Sequence, residues 1–343
     1  MVAITRRQFL SDMSICGVIL ATANASNGLA YISPAFDENS ALEETPRKGF
    51  FSYADIKWIP PRICYIGTGK TGLHIGKILR HKDGLYRLPK DIESYEKERI
   101  NNMSFNIMQF TPDEKGIMAL LSECHLTFLA GSLEDREFWY ARDLILNTLN
   151  KDTGLLITIV PDNAQLNIMN TRTIPAASET FLSIEQETFI PTAINIVRDT
   201  CNPLVFPVMG TFEFEDVLKC FRNTIGGCFT FEASKQNRIE LFDTLILKYK
   251  YQIDRSNNFL LIDSYDYRVT FDIDDSMQDI NNILYYRVME EDGIELLYAT
   301  TMGLRQILNS EFRRTLIFTE KHGSPRISAD NDISKRLVFR QVG

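Results

Sequence analysis

Short apolar runs alternate with longer amphipathic segments along most of the chain. After Arg62, residues 63–66 form a short apolar run with β-branched and aromatic side chains, which predicts a buried strand. The segment after it places Leu73, Ile75, Ile78 and Leu79 at helical spacing. Because this succession recurs, the pattern predicts strands that alternate with helices, and hence a parallel sheet covered on both faces.

The same pattern predicts two groups of elements with a long helix between them. Further strands are predicted at residues 84–91, 106–110, 125–130, 155–160, 259–264, 294–301 and 313–319. Further helices are predicted at residues 112–121, 133–149, 216–224, 235–248 and 276–289. The long helix is predicted to be capped by Thr188 and ended by Asn202 and Pro203.

A glycine-rich loop separates the first predicted strand from the first predicted helix. It consists of Gly67, Thr68, Gly69, Lys70, Thr71 and Gly72. The glycines permit a tight turn and a close approach of the backbone. Free N–H groups and the positive end of a helix dipole then point to one place, which predicts an anion-binding site. The motif fits several mononucleotide and dinucleotide folds and does not choose among them.

Residues 1–25 predict an export signal. Arg6 and Arg7 are followed by Phe9, Leu10, a weakly apolar core and a small-residue cleavage site, an order typical of the twin-arginine route. Residues 26–60 then predict a linker. This interpretation places the protein in the periplasm. The alternative is a cytoplasmic protein whose N-terminal arm happens to carry two arginines.

The composition excludes several classes of protein. At 343 residues the chain is long enough for two domains with cores of their own. A net charge of −8 argues against nucleic-acid binding, which calls for a basic face. After the signal, no apolar run reaches the roughly 20 residues of a transmembrane helix. The histidines and cysteines have no metal-ligand spacing, so we expect no metal site and buried free thiols.

The order of these pieces resembles the FtsZ/tubulin superfamily over about residues 60–321. Residues 66–72 match the first glycine loop of that family. Residues 126–131 match the strand that carries its signature loop, and residues 154–160 match the strand after it. Residues 212–217 resemble the segment that follows its central helix. Each match is weak alone, and their order makes the resemblance specific.

The resemblance implies a two-domain α/β fold. It implies a Rossmann-type, parallel-sheet, nucleotide-binding domain at 61–187, a central helix at 188–204, a smaller α/β domain at 205–321 and a tail at 322–343.

The resemblance also implies GTP or GDP as the ligand. The first glycine loop, with Gly131 and Ser132 of the second loop, would then hold the phosphates, and Asn195 on the central helix would contact the base. Glu213 and Asp216 occupy the places of two carboxylates that, in the family, polarise water at the next subunit's nucleotide. The alternative role of these two acids is to begin a helix.

The segment at residues 132–138 departs from the family pattern. A glycine-rich signature loop is replaced there by Ser132, Leu133, Glu134, Asp135, Arg136, Glu137 and Phe138. Two like charges 4 Å apart repel by roughly 4 kcal/mol at an effective dielectric constant of 20. The same residues suit a first helical turn, with Ser132 and Asp135 as a variant capping box. We therefore expect the protein's own carboxylates to replace the phosphate.

Three functions are consistent with the sequence. The first is a divergent bacterial FtsZ-like protein, with weak or lost GTP hydrolysis, that self-associates as a scaffold in filament formation or division. The second is an active GTPase that forms cytoplasmic filaments, with residues 333–343 as a protein-binding tail. The third is a dinucleotide-dependent oxidoreductase, in which Asp91 would hold the ribose.

Overall fold

The fold is known from a computed structural model. The structure describes residues 61–80, 105–110, 114–162, 175–205, 214–266, 268–269, 295–300 and 308–322. These residues all belong to one compact unit, Pro60–Gly343. The predicted signal and linker, residues 323–343 of the predicted tail, the strand at 84–91 and the helix at 276–289 lie outside the described residues.

The described strands form one mixed sheet. In chain order they are β1 (Ile63–Gly67), β2 (Phe105–Gln109), β3 (Leu126–Ala130), β4 (Leu155–Asp162), β5 (Glu179–Glu185), β6 (Thr224–Ala233), β7 (Asn258–Tyr265), β8 (Glu295–Thr300) and β9 (Phe312–Lys321). Their order in the sheet is β2-β1-β3-β4-β5-β6-β9-β7-β8. Neighbours from β2 to β6 are parallel, β9 is antiparallel to β6 and β7, and β8 is parallel to β7.

Helices connect and cover these strands. In the described part of the chain they are α1 (Gly69–Arg80), α2 (Glu114–Leu121), α3 (Arg136–Thr148), α4 (Phe189–Val205), α5 (Phe214–Phe221), α6 (Arg238–Lys248) and α7 (Lys250–Arg255). This mostly parallel α/β architecture confirms the predicted fold class. No helix within the described ranges has the length and apolar character to cross a membrane.

The sequence pattern missed two strands. β5 begins with Glu179, which looks solvent-exposed in the sequence but is fully buried beside Arg142. β6 contains Gly226 and Gly227, which normally weaken a strand. At Gly226 the β9 backbone comes so close that an added Cβ would lie 2.0 Å from the carbonyl oxygen of Phe318. Tertiary contacts that the sequence pattern does not reveal therefore determine both strands.

Several predicted helix boundaries were wrong. The helix predicted at 133–149 begins at Arg136, and the helix predicted at 216–224 spans Phe214–Phe221. The central helix continues through Pro203 to Val205. Pro203 lacks a donor and its ring crowds the carbonyl four residues before it, while buried neighbours such as Leu204 hold the last turn in place.

Alternate side chains of β1 enter two cores on opposite faces of the sheet. Ile63 and Tyr65 pack with residues of α1 and α4 on one face. Cys64 and Ile66 pack with residues of α2 and α3 on the other face. Burial on both faces explains why this strand is a continuous apolar run, as a central parallel strand requires.

A buried carboxylate joins α4 to the second half of the sheet. Asp199 on α4 is fully buried and accepts hydrogen bonds from Arg313 Nη2 at 2.5 Å and Thr315 Oγ1 at 2.6 Å on β9. It also accepts one from Ser264 Oγ on β7 at 3.1 Å. Because a buried charge must be paired, these bonds fix the position of the central helix against β7 and β9.

A second buried ion pair connects β7 and β9. Arg314 donates two hydrogen bonds of 2.7 Å to the carboxylate of Asp263, and both side chains are fully buried. The guanidinium carbon of Arg314 lies 4.6 Å from the ring centroid of Phe242 on α6. The pair therefore also positions α6 through a cation–π contact.

We predict that Arg314→Met lowers the free energy of unfolding by about 3–5 kcal/mol, because it leaves the Asp263 carboxylate buried and unpaired. Urea unfolding followed by circular dichroism measures the loss. The double variant Arg314→Met/Asp263→Leu is the control and should recover most of it, since apolar residues of similar size can replace a buried pair. A single variant as stable as the wild type would contradict this role.

Candidate functional site

The ends of β1 and β3 bring two loops together at one edge of the sheet. Gly67 and Ala130, the last residues of these parallel strands, are in register. The first loop therefore leaves β1 next to the second loop, residues 131–135, which leaves β3. The carboxyl edge of a parallel sheet is where such folds bind ligands.

Hydrogen bonds hold the first loop against β3. The Thr68 N–H donates to the Ala130 carbonyl at 3.0 Å, and the Gly72 N–H donates to the Thr68 carbonyl at 3.1 Å. The Tyr65 hydroxyl donates to the Gly72 carbonyl at 2.8 Å. Burial raises the pKa of Tyr65, so the hydroxyl stays protonated and remains a donor. Sequence reasoning missed Tyr65, whose only signal was a hydroxyl within an apolar strand.

Two glycines of the first loop are required by its geometry. Gly69 has a φ of 59°, which is strained for residues with a side chain. A Cβ on Gly72 would lie 2.2 Å from the carbonyl oxygen of Ala130, so the backbone of the first loop packs directly against the end of β3. The prediction that these glycines allow a tight turn and a close backbone approach is confirmed.

The first turn of α1 presents backbone N–H donors at the edge of the sheet. The N–H groups of Gly69, Lys70 and Thr71 have no hydrogen-bond partner among the described residues. Lys70 is exposed, and the first turn of α1 contains no acidic residue. These donors and the helix dipole can attract an anion, as the sequence predicted.

A carboxylate of the second loop lies against this turn. Asp135 Oδ2 is 2.7 Å from the position that a Cβ on Gly69 would occupy. Asp135 Oδ1 accepts a hydrogen bond of 2.9 Å from the Glu137 N–H and caps α3. The carboxylate therefore lies beside the N-terminus of α1 while it caps that of α3, and both positions favour a negative charge.

The predicted capping box at Ser132 was wrong. The N-cap residue of α3 is Asp135, and the helix begins one residue later, at Arg136. Ser132 Oγ instead accepts a long hydrogen bond of 3.4 Å from the Glu134 N–H, and its carbonyl accepts one of 3.1 Å from the Asp135 N–H. These two bonds form a turn after Gly131 that carries Asp135 to the first loop.

The other predicted site residues have different surroundings. Asn195 Nδ2 on α4 donates to Thr230 Oγ1 on β6 at 3.1 Å, so its amide already has a partner. Asp216 is half-buried in the first turn of α5, and Glu213 lies outside the described residues. The roles predicted for Asn195, Glu213 and Asp216 stay predictions.

The described residues contain no cluster of three or more histidine, cysteine or acidic side chains that could hold a metal ion. The cysteines that the structure describes, which are Cys64, Cys124, Cys201, Cys220 and Cys228, are buried free thiols.

Comparison with known proteins identifies the fold. No family model and no curated protein matches the chain. An empty FtsZ dimer from M. jannaschii superposes with a TM-score of 0.54 and 13% identity, over 76% of this chain and 88% of that one. A point mutant of M. jannaschii FtsZ gives a TM-score of 0.52 and 14% identity, over 76% and 92%. The chain therefore has an FtsZ/tubulin-like fold.

Proposed function

We propose that this protein is a divergent FtsZ-like scaffold that self-associates with weak or lost GTP hydrolysis. The observation that carries the proposal is the carboxylate of Asp135 against Gly69. In the second loop of FtsZ-like proteins, glycines leave this space to phosphate. Here the space beside the first turn of α1 contains a fixed negative charge.

Electrostatics then disfavours a polyphosphate at this site. At 4 Å, two unit charges repel by roughly 4 kcal/mol at an effective dielectric constant of 20. Solvent reduces that figure, because Asp135 is only half-buried. Glu134 and Glu137 add negative charge nearby, and Lys70 and Arg136 are exposed. The net effect is a low affinity for GTP, and without bound GTP the acids Glu213 and Asp216 have no substrate to act on.

Self-association is supported by one of the solved structures that match, which is described as an FtsZ dimer. A filament- or division-related role in a bacterium remains part of the proposal. Export by the twin-arginine route is consistent with it, because that route carries folded proteins and no GTP pool is expected outside the cytoplasm. Loss of nucleotide binding and export would then be two features of one adaptation.

A second candidate function is an active cytoplasmic GTPase. The N–H groups of Gly69, Lys70 and Thr71, which have no partner in the described part of the chain, favour it, because they can bind a phosphate. It requires Asp135 to move away from the first loop when the nucleotide enters. The third function, a dinucleotide oxidoreductase, has no support from the fold comparison, and Asp91 lies outside the described residues.

We predict that Asp135→Asn increases the affinity for GTP at least tenfold. The amide oxygen of asparagine can still cap α3, while the negative charge beside Gly69 is removed. Isothermal titration calorimetry with GTP and Mg²⁺ measures the change. The control is Glu137→Gln, which removes one charge from the same helical turn and leaves the contact between Asp135 and Gly69 in place. It should change the affinity for GTP less. Equal effects of the two variants would contradict a specific role for Asp135.

We predict that assembly is independent of nucleotide. Sedimentation velocity should give the same oligomer distribution with GTP, with GDP and with neither. Phosphate release should stay at background in the wild type and in Asp216→Asn. A measurable rate that falls at least tenfold in Asp216→Asn would establish the active GTPase instead.

We predict that replacing Arg6 and Arg7 with lysine keeps the protein in the cytoplasm, because the twin-arginine route recognises the arginine pair. Fractionation of cells that express the full chain, followed by immunoblotting, measures the distribution. Wild-type protein found only in the cytoplasm would contradict export.

A further inference from the structure

The turn between α2 and β3 is held against the start of β1. After α2 ends at Leu121, the N–H of Cys124 donates to the Leu121 carbonyl at 3.1 Å. The next two N–H groups, those of His125 and Leu126, donate to the Arg62 carbonyl at 2.9 Å and 3.2 Å. These backbone bonds place the turn beside β1, at the edge of the sheet opposite the candidate site.

Arg62 makes further contacts with the same turn. Its N–H donates to His125 Nδ1 at 3.0 Å, and its guanidinium pairs with the carboxylate of Glu123. Both side chains of the ion pair are exposed, so the pair adds little to stability. The backbone and imidazole bonds are therefore what fixes the turn.

Two cysteines meet at this junction. Cys64 on β1 points to the face that α2 and α3 cover, and Cys124 enters the same core from the turn. Cys64 is fully buried, and Cys124 is 3% exposed. The Cys64 S–H donates a hydrogen bond to the Cys124 sulfur, so the two sulfurs are in contact.

The two thiols have different acidities. The hydrogen bond from Cys64 lowers the pKa of Cys124, burial opposes this shift, and the charge of Arg62 lowers the pKa further. The same hydrogen bond and burial raise the pKa of Cys64. Burial also raises the pKa values of Cys201 and Cys228. Because the thiolate is the reactive form of cysteine, Cys124 is better suited to nucleophilic attack than Cys201 or Cys228.

We propose that Cys64 and Cys124 are a redox-active pair, which closes to a disulfide when the protein meets a disulfide oxidant. The Cys124 thiolate attacks one sulfur of the oxidant R–S–S–R, which forms a mixed disulfide and releases a thiolate that takes the proton of Cys64. The Cys64 thiolate then attacks the Cys124 sulfur, and the second RS⁻ leaves and is protonated by water. The protein loses two electrons, and the oxidant is reduced to two thiols.

Only Cys124 has to reach the oxidant. It follows the exposed Glu123 and precedes the half-buried His125, so a local opening of the turn presents its sulfur to solvent. Cys64 can stay in the core, because closure of the turn brings the mixed disulfide back to it. The contact between the two sulfurs means that the second step needs little movement of the backbone.

The disulfide would close a loop that contains the first glycine loop, α1, β2 and α2. In the chain-entropy model, a disulfide stabilises a protein by restricting its unfolded chain, and more so when the loop is long. The oxidised protein should therefore be more stable than the reduced protein. This inference requires no nucleotide, self-association or export, so its failure would leave the proposed function intact.

Peptide mapping of the full wild-type chain tests the pairing. The protein is equilibrated with an excess of oxidised glutathione, its free thiols are blocked with iodoacetamide in urea, and it is digested with trypsin without reduction. Mass spectrometry should find the peptides 63–70 and 116–136 joined, and dithiothreitol should separate them. Blocked thiols at both positions, glutathione on Cys124 alone, or a link from Cys124 to Cys16 would overturn the proposal.

Thermal unfolding by circular dichroism tests the effect of the disulfide. The oxidised wild type, freed of glutathione, should have a Tm about 5–10 °C above that of the reduced wild type. Cys124→Ala should lose this difference. The matched control, Cys201→Ala, removes another buried thiol and should keep it. Each variant is compared with itself in two redox states, so a general loss of stability does not affect the result. An equal difference in Cys124→Ala and the wild type would contradict the assigned pair.

Discussion

The contact between Asp135 and Gly69 is the interaction on which the candidate site depends. It places a carboxylate where two helices begin, so that both helix dipoles stabilise one charge that the chain itself supplies. The first loop keeps its fold because its shape is fixed by Tyr65, Thr68 and close backbone packing, none of which requires a ligand. The shape of the first loop therefore does not depend on a bound ligand.

The rest of the fold is held by contacts independent of this site. The cores on the two faces of β1 position the first half of the sheet. The buried pairs of Asp199 with Arg313, and of Asp263 with Arg314, join α4, β7 and β9. The folded protein loses stability when one partner of a buried pair is missing. These pairs therefore specify the position of the central helix against β7 and β9. The FtsZ/tubulin-like architecture of the described residues therefore does not depend on the candidate site.

Much of the fold could be predicted from periodicity, because β1, β3 and β4 are apolar runs buried on both faces. β5 and β6 could not be predicted in this way. Glu179 is buried in β5 because it pairs with Arg142, and β6 has two glycines because Phe318 packs closely against them. At the site, the glycine loop and the presence of acidic residues in the second loop were predictable from residue types. The sequence did not reveal that Asp135 is the acid that contacts Gly69. The turn at Ser132 moves the start of α3 to Arg136 and makes Asp135 its N-cap residue.

The most direct test is a crystal structure of the full chain grown with a saturating, non-hydrolysable GTP analogue and Mg²⁺. We expect the carboxylate of Asp135 to remain beside Gly69, with no nucleotide between the two loops. Phosphate oxygens bonded to the N–H groups of Gly69, Lys70 and Thr71, with Asp135 displaced, would contradict the proposed loss of nucleotide binding.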